Sequence, residues 1–584
     1  MSAICGWIGE APPERLGELL GAVDYRGDTE ARFVGEGFAL GYRFWAGRPG
    51  KSPTILEEGP FVAVCAGHLA PSSPDPAREL LRRLEATPPR LSDLDGAFAA
   101  AIWDRRDRSM RFVRDPFGIR SLYTAEWSGV FWFASELKQL LALPGFPVEP
   151  DPVAIHKYLT FSFVPGEDVP IRGVRRILPG RVARLAGGRL EATRWFELRE
   201  EIDESLGERS VAVPLIRTLG RAAVEKRLPG EGEVGLFLSG GLDSSAVGFW
   251  LRRSGARFRA FSLDFGEKSV EKSEAALVAK RLEVPHEWVP MDGSELGPLL
   301  PDIVWKLDLP FGDPVTGPQY LLGRLARERG LAAVFSGEGG DQLFGGWTNK
   351  PMVAAELFGG IVTDESREET YLRSYHRFYG LEKELYTDDF AALTGGPGQR
   401  RAHLCPLLAG TQASTFLGRL RVADIFLKGS QNILARAERM ANAFGLDARV
   451  PLFDRALAEA SFRLPPRMKL SGANEKWVLK LALRKRLPDE IVWAAKRGMS
   501  VPATDWCLGP LAPLVEELLG DASLRRRGWF RPEYVARLRR GENEPHETRR
   551  RRVGERLWTL LMLEAWLRIF VDGRGSGPTR GWVR

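Results

Sequence analysis

The chain has 584 residues, of which 44% are apolar and 27% charged, and a formal net charge of +7. That length exceeds one hydrophobic core and predicts at least two domains. The composition excludes disorder as the main state, and the small positive charge does not call for nucleic acid.

Residues 1–200 read as β-rich. Apolar runs at Phe61–Cys65, Ala97–Trp103 and Val130–Ala134 alternate with Gly, Pro and Asp turns, with helices at Ala77–Glu85 and Ser135–Leu141. The charged stretch Glu200–Arg209 marks a domain boundary, giving domains 1–200 and 210–584. From residue 210 a helix (Val213–Lys226) leads to a buried strand (Val234–Leu238) and a glycine-rich turn. Strands at Arg259–Leu263, Glu287–Val289 and Ala332–Phe335 alternate with helices at Glu271–Leu282 and Pro318–Arg329. Such alternation predicts a parallel sheet covered on both faces. Beyond about Lys350 the chain reads as mainly helical, and the tail from Gly573 reads as frayed. The arginines at 525–527 and 549–552 read as solvated helix faces.

Cys5, Cys65, Cys405 and Cys507 lie far apart, without the spacing of a zinc site or disulfide framework. No apolar run is long enough to cross a bilayer, and no secretory start precedes the chain. A cytoplasmic protein without membrane or nucleic-acid partners is expected.

Two glycine-rich segments carry the chemistry. Ser239-Gly240-Gly241-Leu242-Asp243-Ser244-Ser245 follows a strand and opens a helix. Glycines let the backbone approach a phosphate, and a helix start offers N–H groups and a positive dipole end. Asp243 can serve a magnesium ion. No lysine follows the glycines as it would in a Walker loop. Ser336-Gly337-Glu338-Gly339-Gly340-Asp341 follows another strand. Ligands of open α/β sheets bind beyond the carboxyl ends of strands, so both loops belong on one rim.

Together with Arg114–Arg120, Phe133–Lys138, Ile177–Gly180, Arg449–Asp454, Lys496–Met499, Leu557-Trp558 and Glu564–Trp566, these loops resemble the asparagine synthetase superfamily along nearly the whole chain. The resemblance implies an N-terminal-nucleophile-type amidotransferase sandwich followed by a pyrophosphate-loop ATP synthetase domain with a parallel sheet and a helical C-terminal part. It implies that Leu238, Ser239, Gly240, Gly241, Asp243, Ser244, Ser245, Leu263, Ser336 and Gly337 bind ATP. Asp243 and Asp341 would hold Mg2+, and Glu338 and Lys476 would act on the reacting groups. The substrates would be a small-molecule or peptide carboxylate and an amine, and a homodimer is common among such proteins.

The chain departs from that pattern at its start. Glutamine-using members carry cysteine after the initiator methionine, whereas Ser2 stands here and Cys5 falls on a buried, small-residue position. Ala66-Gly67-His68 replaces an Asn-Gly-Glu, Tyr25-Arg26-Gly27-Asp28 replaces a His-Arg-Gly-Pro, and Asp95 is retained. Ser2 and Asp95 are what is left of an amidotransferase site that the sequence places in doubt. A serine hydroxyl is far less acidic than a thiol. The expected activity is an ATP-dependent carboxylate–amine ligase, with aspartate as default carboxylate. Ring-forming relatives of the lasso peptide cyclase or β-lactam synthetase kind are the nearest alternative. A non-catalytic nucleotide-binding protein and a tRNA-modifying enzyme are the alternatives of other classes.

Overall fold

A computed structural model describes residues 2–46, 48, 54–346, 351–354, 363–396, 404, 406–410, 412–495, 501–542, 551–573 and 577–578. The Lys496–Met499 segment, Cys405 and nearly all of the tail after Gly573 lie outside them.

Twelve strands make two six-stranded sheets in the first part of the chain. One sheet has the order β10 (Val174–Arg176), β8 (Tyr123–Trp127), β9 (Val130–Ala134), β1 (Ala3–Ile8), β3 (Phe38–Phe44), β2 (Thr29–Gly35). The other runs β12 (Arg189–Arg194), β11 (Arg181–Ala186), β7 (Ser109–Arg114), β6 (Gly96–Asp104), β5 (Phe61–Leu69), β4 (Leu56–Glu58). Every pairing within them is antiparallel.

The two-residue period of a strand explains the layering. In β5, Val62, Val64 and Ala66 face the core shared by the sheets, while Phe61, Ala63 and Cys65 pack with Leu80 and Leu84 of the helix Pro76–Glu85. In β1, Ile4 points into the sandwich, and Cys5 and Trp7 point outward against Leu16, Leu19 and Leu20. Cys5, Cys65 and Cys507 are buried, and no disulfide joins them among the described residues.

A five-stranded, wholly parallel sheet follows, in the order β15 (His286–Pro290), β14 (Phe258–Asp264), β13 (Val234–Phe237), β16 (Ala333–Ser336), β17 (Asp447–Arg449). Its two faces are both covered. Leu236 and Ala260 pack with Val247 and Val278 on one side, and Phe261 and Val334 with Leu322 and Ala441 on the other. The strand β17 is one short strand within a C-terminal part that is mainly helical, as expected. Its Asp-Ala-Arg sequence has no apolar run, and it adds to the sheet only at an edge.

The basic clusters near the C-terminus differ from expectation. Arg527 bridges Glu564 at 3.0 Å and Asp572 at 2.7 Å, and Arg552 is buried beside Glu555 at 2.7 Å. Arg527 ties its helix to the helix Arg551–Trp566, Arg552 pairs within its own helix, and Arg525 and Arg526 are exposed. The segment around Glu200 packs against later residues: the Glu200 N–H donates to the Gln412 carbonyl at 2.7 Å, and Arg463 pairs with Asp203 at 2.7 Å. Among the described residues no helix is long and apolar enough to cross a membrane.

Between the sandwich and the parallel sheet lies a network of nine buried charges. Arg26 pairs with Glu136 and with Glu438 (2.7 Å); Arg120 pairs with Glu438 and with Asp447 (3.3 Å). Arg439 reaches Glu136 at 3.0 Å and Asp308 at 3.2 Å. Lys138 reaches Glu136 and Asp308, and Arg449 reaches Asp447 at 3.1 Å. Burial alone would raise the pKa of Glu438, but Arg26 and Arg120 outweigh it and hold the carboxyl at about 2.

A carboxyl depressed in this way stabilises the fold above its ordinary value of 4.5, and that contribution is lost as the pH falls toward about 2. Removing one partner of a buried pair costs about 3–5 kcal/mol. Glu438→Gln is expected to lower the unfolding free energy at pH 7 by that order. It should also flatten the loss of stability between pH 4.5 and 2, as read by urea titrations across that range.

Candidate active site

The order of the parallel sheet reverses between β13 and β16, where chain connections leave in opposite directions. Such a switch point opens a crevice at the carboxyl ends of the strands. Both glycine-rich loops leave from there. The first turns at Gly240, whose φ of +83° favours glycine, and enters the helix Leu242–Arg253. Gly241 caps that helix without a side-chain hydrogen bond, so the first N–H groups face the crevice end of the helix axis.

Serines hold the loop. The Gly241 N–H donates to Ser239 Oγ at 3.2 Å, Ser239 and Ser244 hydroxyls lie 3.1 Å apart, and Ser245 Oγ donates to the Gly241 carbonyl at 2.8 Å. Leu238, Ser239 and Leu263 line a cavity of ≈ 80 Å³ with Trp288 and Phe265 as further walls.

The second loop lies directly on the first. A Cβ added to Gly337 would fall 2.3 Å from the Ser244 nitrogen, and one added to Gly340 would fall 2.1 Å from Asp243 Oδ1. The Gly337 contact is with Ser244 backbone, so glycine is required there, whereas a side chain at Gly340 would push the Asp243 carboxylate aside.

Lys476 closes the arrangement. It is 1% exposed and takes a left-handed backbone conformation (φ +53°, ψ +36°) at the start of the helix Trp477–Leu483. That region is uncommon for residues other than glycine and costs of order 1–3 kcal/mol. Its ammonium lies 2.5 Å from Asp243 Oδ2 and 2.8 Å from Asp341 Oδ1. Two carboxylates therefore converge on one cationic point, although nearly 100 residues separate them in sequence. Hard oxygen donors in a pair suit Mg2+, which commonly takes one or two carboxylates plus substrate phosphates. Among the described residues no group of three or more His, Cys, Asp or Glu side chains could hold a metal alone.

Glu338 stands beside this triad on the same loop with its side chain 27% exposed. Gln319 Nε2 donates to its Oε1 at 3.3 Å, and Arg436 Nη2 lies 3.8 Å away. Arg436 is buried, donates to Gln319 Oε1 at 2.9 Å and pairs with Asp313. Burial would raise the Asp313 carboxyl, yet Arg436 brings it below the usual range. Asp313, Gln319 and Arg436 escaped sequence reasoning. Arg436 sits in the helix Ala435–Asn442, whose Ala-Arg-Ala-Glu-Arg-Met-Ala-Asn sequence looks like a solvated surface but is almost wholly buried.

Ser2 and Asp95 make separate contacts. Ser2 is buried and its Oγ accepts from the Gly67 N–H at 2.9 Å. Asp95 pairs with Arg227 at 2.9 Å, and Arg227 pairs with Asp454 at 2.8 Å. Burial raises the Asp95 pKa, Arg227 opposes it, and Asp454 raises it further. Asp95 thus ties the sandwich to the later part of the chain. Burial also pushes the Cys5 thiol far up, and its strand position faces away from the space between the sheets.

A twelve-stranded antiparallel sandwich joined to a parallel sheet with paired glycine loops at its switch point defines a two-part ligase of the amidotransferase–synthetase class. The chain belongs to the asparagine synthase family: that family's sequence profile matches residues 215–568, and a glutamine amidotransferase domain profile matches residues 82–196. Members of the family are ATP-dependent amide-forming ligases. Similar proteins include a putative glutamine-hydrolyzing asparagine synthetase of Mycobacterium tuberculosis, 29% identical over 82% of this chain and 78% of its own length. Asparagine synthetase 1 of Bacillus subtilis is 25% identical over 83% of this chain and 79% of its own. Amidase chry2 of Gibberella zeae is 23% identical over 75% of this chain and 74% of its own.

The glycine contacts generate a direct test. Gly340→Ala should displace Asp243 and reduce ATP binding at least tenfold, with the far-ultraviolet circular dichroism unchanged; equilibrium dialysis with labelled ATP reads the effect.

Proposed function

We propose that this chain activates a carboxylate with ATP as an acyl-adenylate, releases pyrophosphate, and passes the acyl group to an amine to form an amide. The observation that carries this reading is the convergence of Asp243, Asp341 and Lys476 at the ends of β13 and β16. In this reading residues 210–584 form the synthetase domain and residues 1–200 an amidotransferase-like domain.

The roles follow from placement. The loop from Ser239 to Ser245 receives the phosphates on glycine backbone and helix N–H groups. Leu238 and Leu263 line the base side, with Ser336 and Gly337 across from them. Asp243 and Asp341 would hold Mg2+, which supplies charge neutralisation for the departing pyrophosphate. Lys476 Nζ is positioned to add positive charge where the carboxylate oxygen meets the α-phosphorus. Glu338, steadied by Gln319 and Arg436, is the acceptor for the proton the attacking amine loses.

Aspartate with free ammonia is the default substrate pair, giving asparagine. A second reading, a ring-forming or other amide synthetase using a different amine, is favoured by Ser2 at the nucleophile position and by the engagement of Asp95 with Arg227. Neither reading requires the first domain to hydrolyse glutamine.

Purified protein with ATP, Mg2+ and its carboxylate is expected to yield AMP and pyrophosphate in equal amounts. ADP as product would overturn the adenylation reading. Lys476→Ala should lower kcat about 10²–10³-fold, and Glu338→Gln about 10²–10⁴-fold, with the fold intact. Synthesis with an added amine should be unchanged in Ser2→Ala; a large loss there would show that the first domain takes part in the chemistry.

A further inference from the structure

A second cavity, of ≈ 260 Å³, lies away from the glycine loops, between the last strands of the sandwich and residues 406–431. Its size approaches that of ordinary small-molecule sites, about 300 Å³ and upward. Leu178, Phe196, Leu198, Leu407, Phe426 and Leu427 give it apolar walls. Phe426 and Leu427 belong to a π-helical stretch, Asp424–Leu434, and such wide turns are rare and often found at functional sites.

Its polar rim is unbalanced. The pairing of β11 with β12 sets Arg181 directly opposite Arg194, and like charges in that register repel. The single carboxylate on the rim, Glu197, is already engaged. It pairs with Arg194, with Arg199 at 2.6 Å, and accepts from Gln412 Nε2 at 3.1 Å. The Arg181 side chain is partly buried and makes no ion pair or hydrogen bond among the described residues. Burial first, and the Arg194 charge second, bring its pKa below the ordinary arginine value, with Glu167 and Glu197 offsetting part of the shift. Leaving a partly buried guanidinium unmatched costs free energy, and an anionic ligand could match it.

We propose that this cavity binds an organic monocarboxylate with an apolar body. Its carboxylate sits on Arg181, and its body lies against Phe196 and Leu427. Nothing in this assignment depends on the reaction at the glycine loops. The two sites draw on different residues, so a failure of one reading leaves the other standing.

Isothermal titration of the full-length protein with indole-3-acetate, 3-phenylpropionate and decanoate tests it. Indole-3-acetate is expected to bind saturably at one site, and neutral indole-3-acetamide at least tenfold more weakly. Arg181→Gln should weaken indole-3-acetate at least tenfold without moving the thermal midpoint, and saturating ATP should leave the affinity unchanged. Leu198→Trp, which fills the cavity, should abolish binding. Absence of saturable binding by all three acids would overturn the proposal. So would equal affinity for the acid and the amide, equal affinity in Arg181→Gln, or competition by ATP.

Discussion

Nine charged side chains buried between the sandwich and the parallel sheet set the terms on which the two parts of the chain meet. Taking an ion out of water costs several kcal/mol, and only a partner in good geometry repays it. Glu136, Asp308, Glu438 and Asp447 are each met by at least one of Arg26, Arg120, Lys138, Arg439 and Arg449. Three of the cations and one carboxylate come from the sandwich, so its side carries a surplus of positive charge; the other side carries a surplus of negative charge. The contact is therefore selective as well as adhesive. A sliding of one part over the other would leave buried charges unmatched, which fixes how the sandwich stands against the strands that bear the active-site loops. Arg227, held between Asp95 and Asp454, repeats the device at a second point.

That rigid frame matters because the chemistry relies on segments distant in sequence. Asp243, Asp341 and Lys476 come from a helix start after β13, a loop after β16 and the first turn of a later helix. Their convergence requires the loops to touch backbone to backbone, which Gly337 and Gly340 permit. The strained backbone of Lys476 is the local cost of aiming its ammonium inward. Glu338 is steadied from the opposite direction, through Gln319 and Arg436, by helices on the other face of the sheet. In the proposed reaction, proton handling by Glu338 and phosphate handling by Asp341 would stand on one segment with separate supports.

Much of this was legible beforehand. Val234–Leu238 could be read as a buried strand because five apolar or small residues run straight into Ser-Gly-Gly, and the same logic placed Ala332–Phe335; the strands run over Val234–Phe237 and Ala333–Ser336. The helices after them followed from their apolar spacing. Lys476 was legible only through family likeness, since nothing local tells a buried lysine from a solvated one. The strand Asp447–Arg449 was not legible, because its pairing partner lies more than a hundred residues away and its own residues are polar. Arg436 was hidden for the opposite reason. A helix of small and charged residues reads as surface when its ion partners, such as Asp313, are supplied by distant segments.

The pairing of Arg120 with Glu438 spans 318 residues of sequence, and this has a bearing on how the molecule is made. A ribosome adding about 5–20 residues per second needs roughly 15–60 s to deliver the second partner after the first. For the first part of that interval Arg26, Arg120 and Lys138 have Glu136 as their single anionic neighbour from this network, and Asp308 joins it before Glu438 and Asp447 are made. The nascent sandwich must keep this cationic face hydrated, or shielded by a chaperone, until Glu438 and Asp447 emerge. Completion of the parallel sheet by its last strand and docking of the sandwich then become one event late in translation.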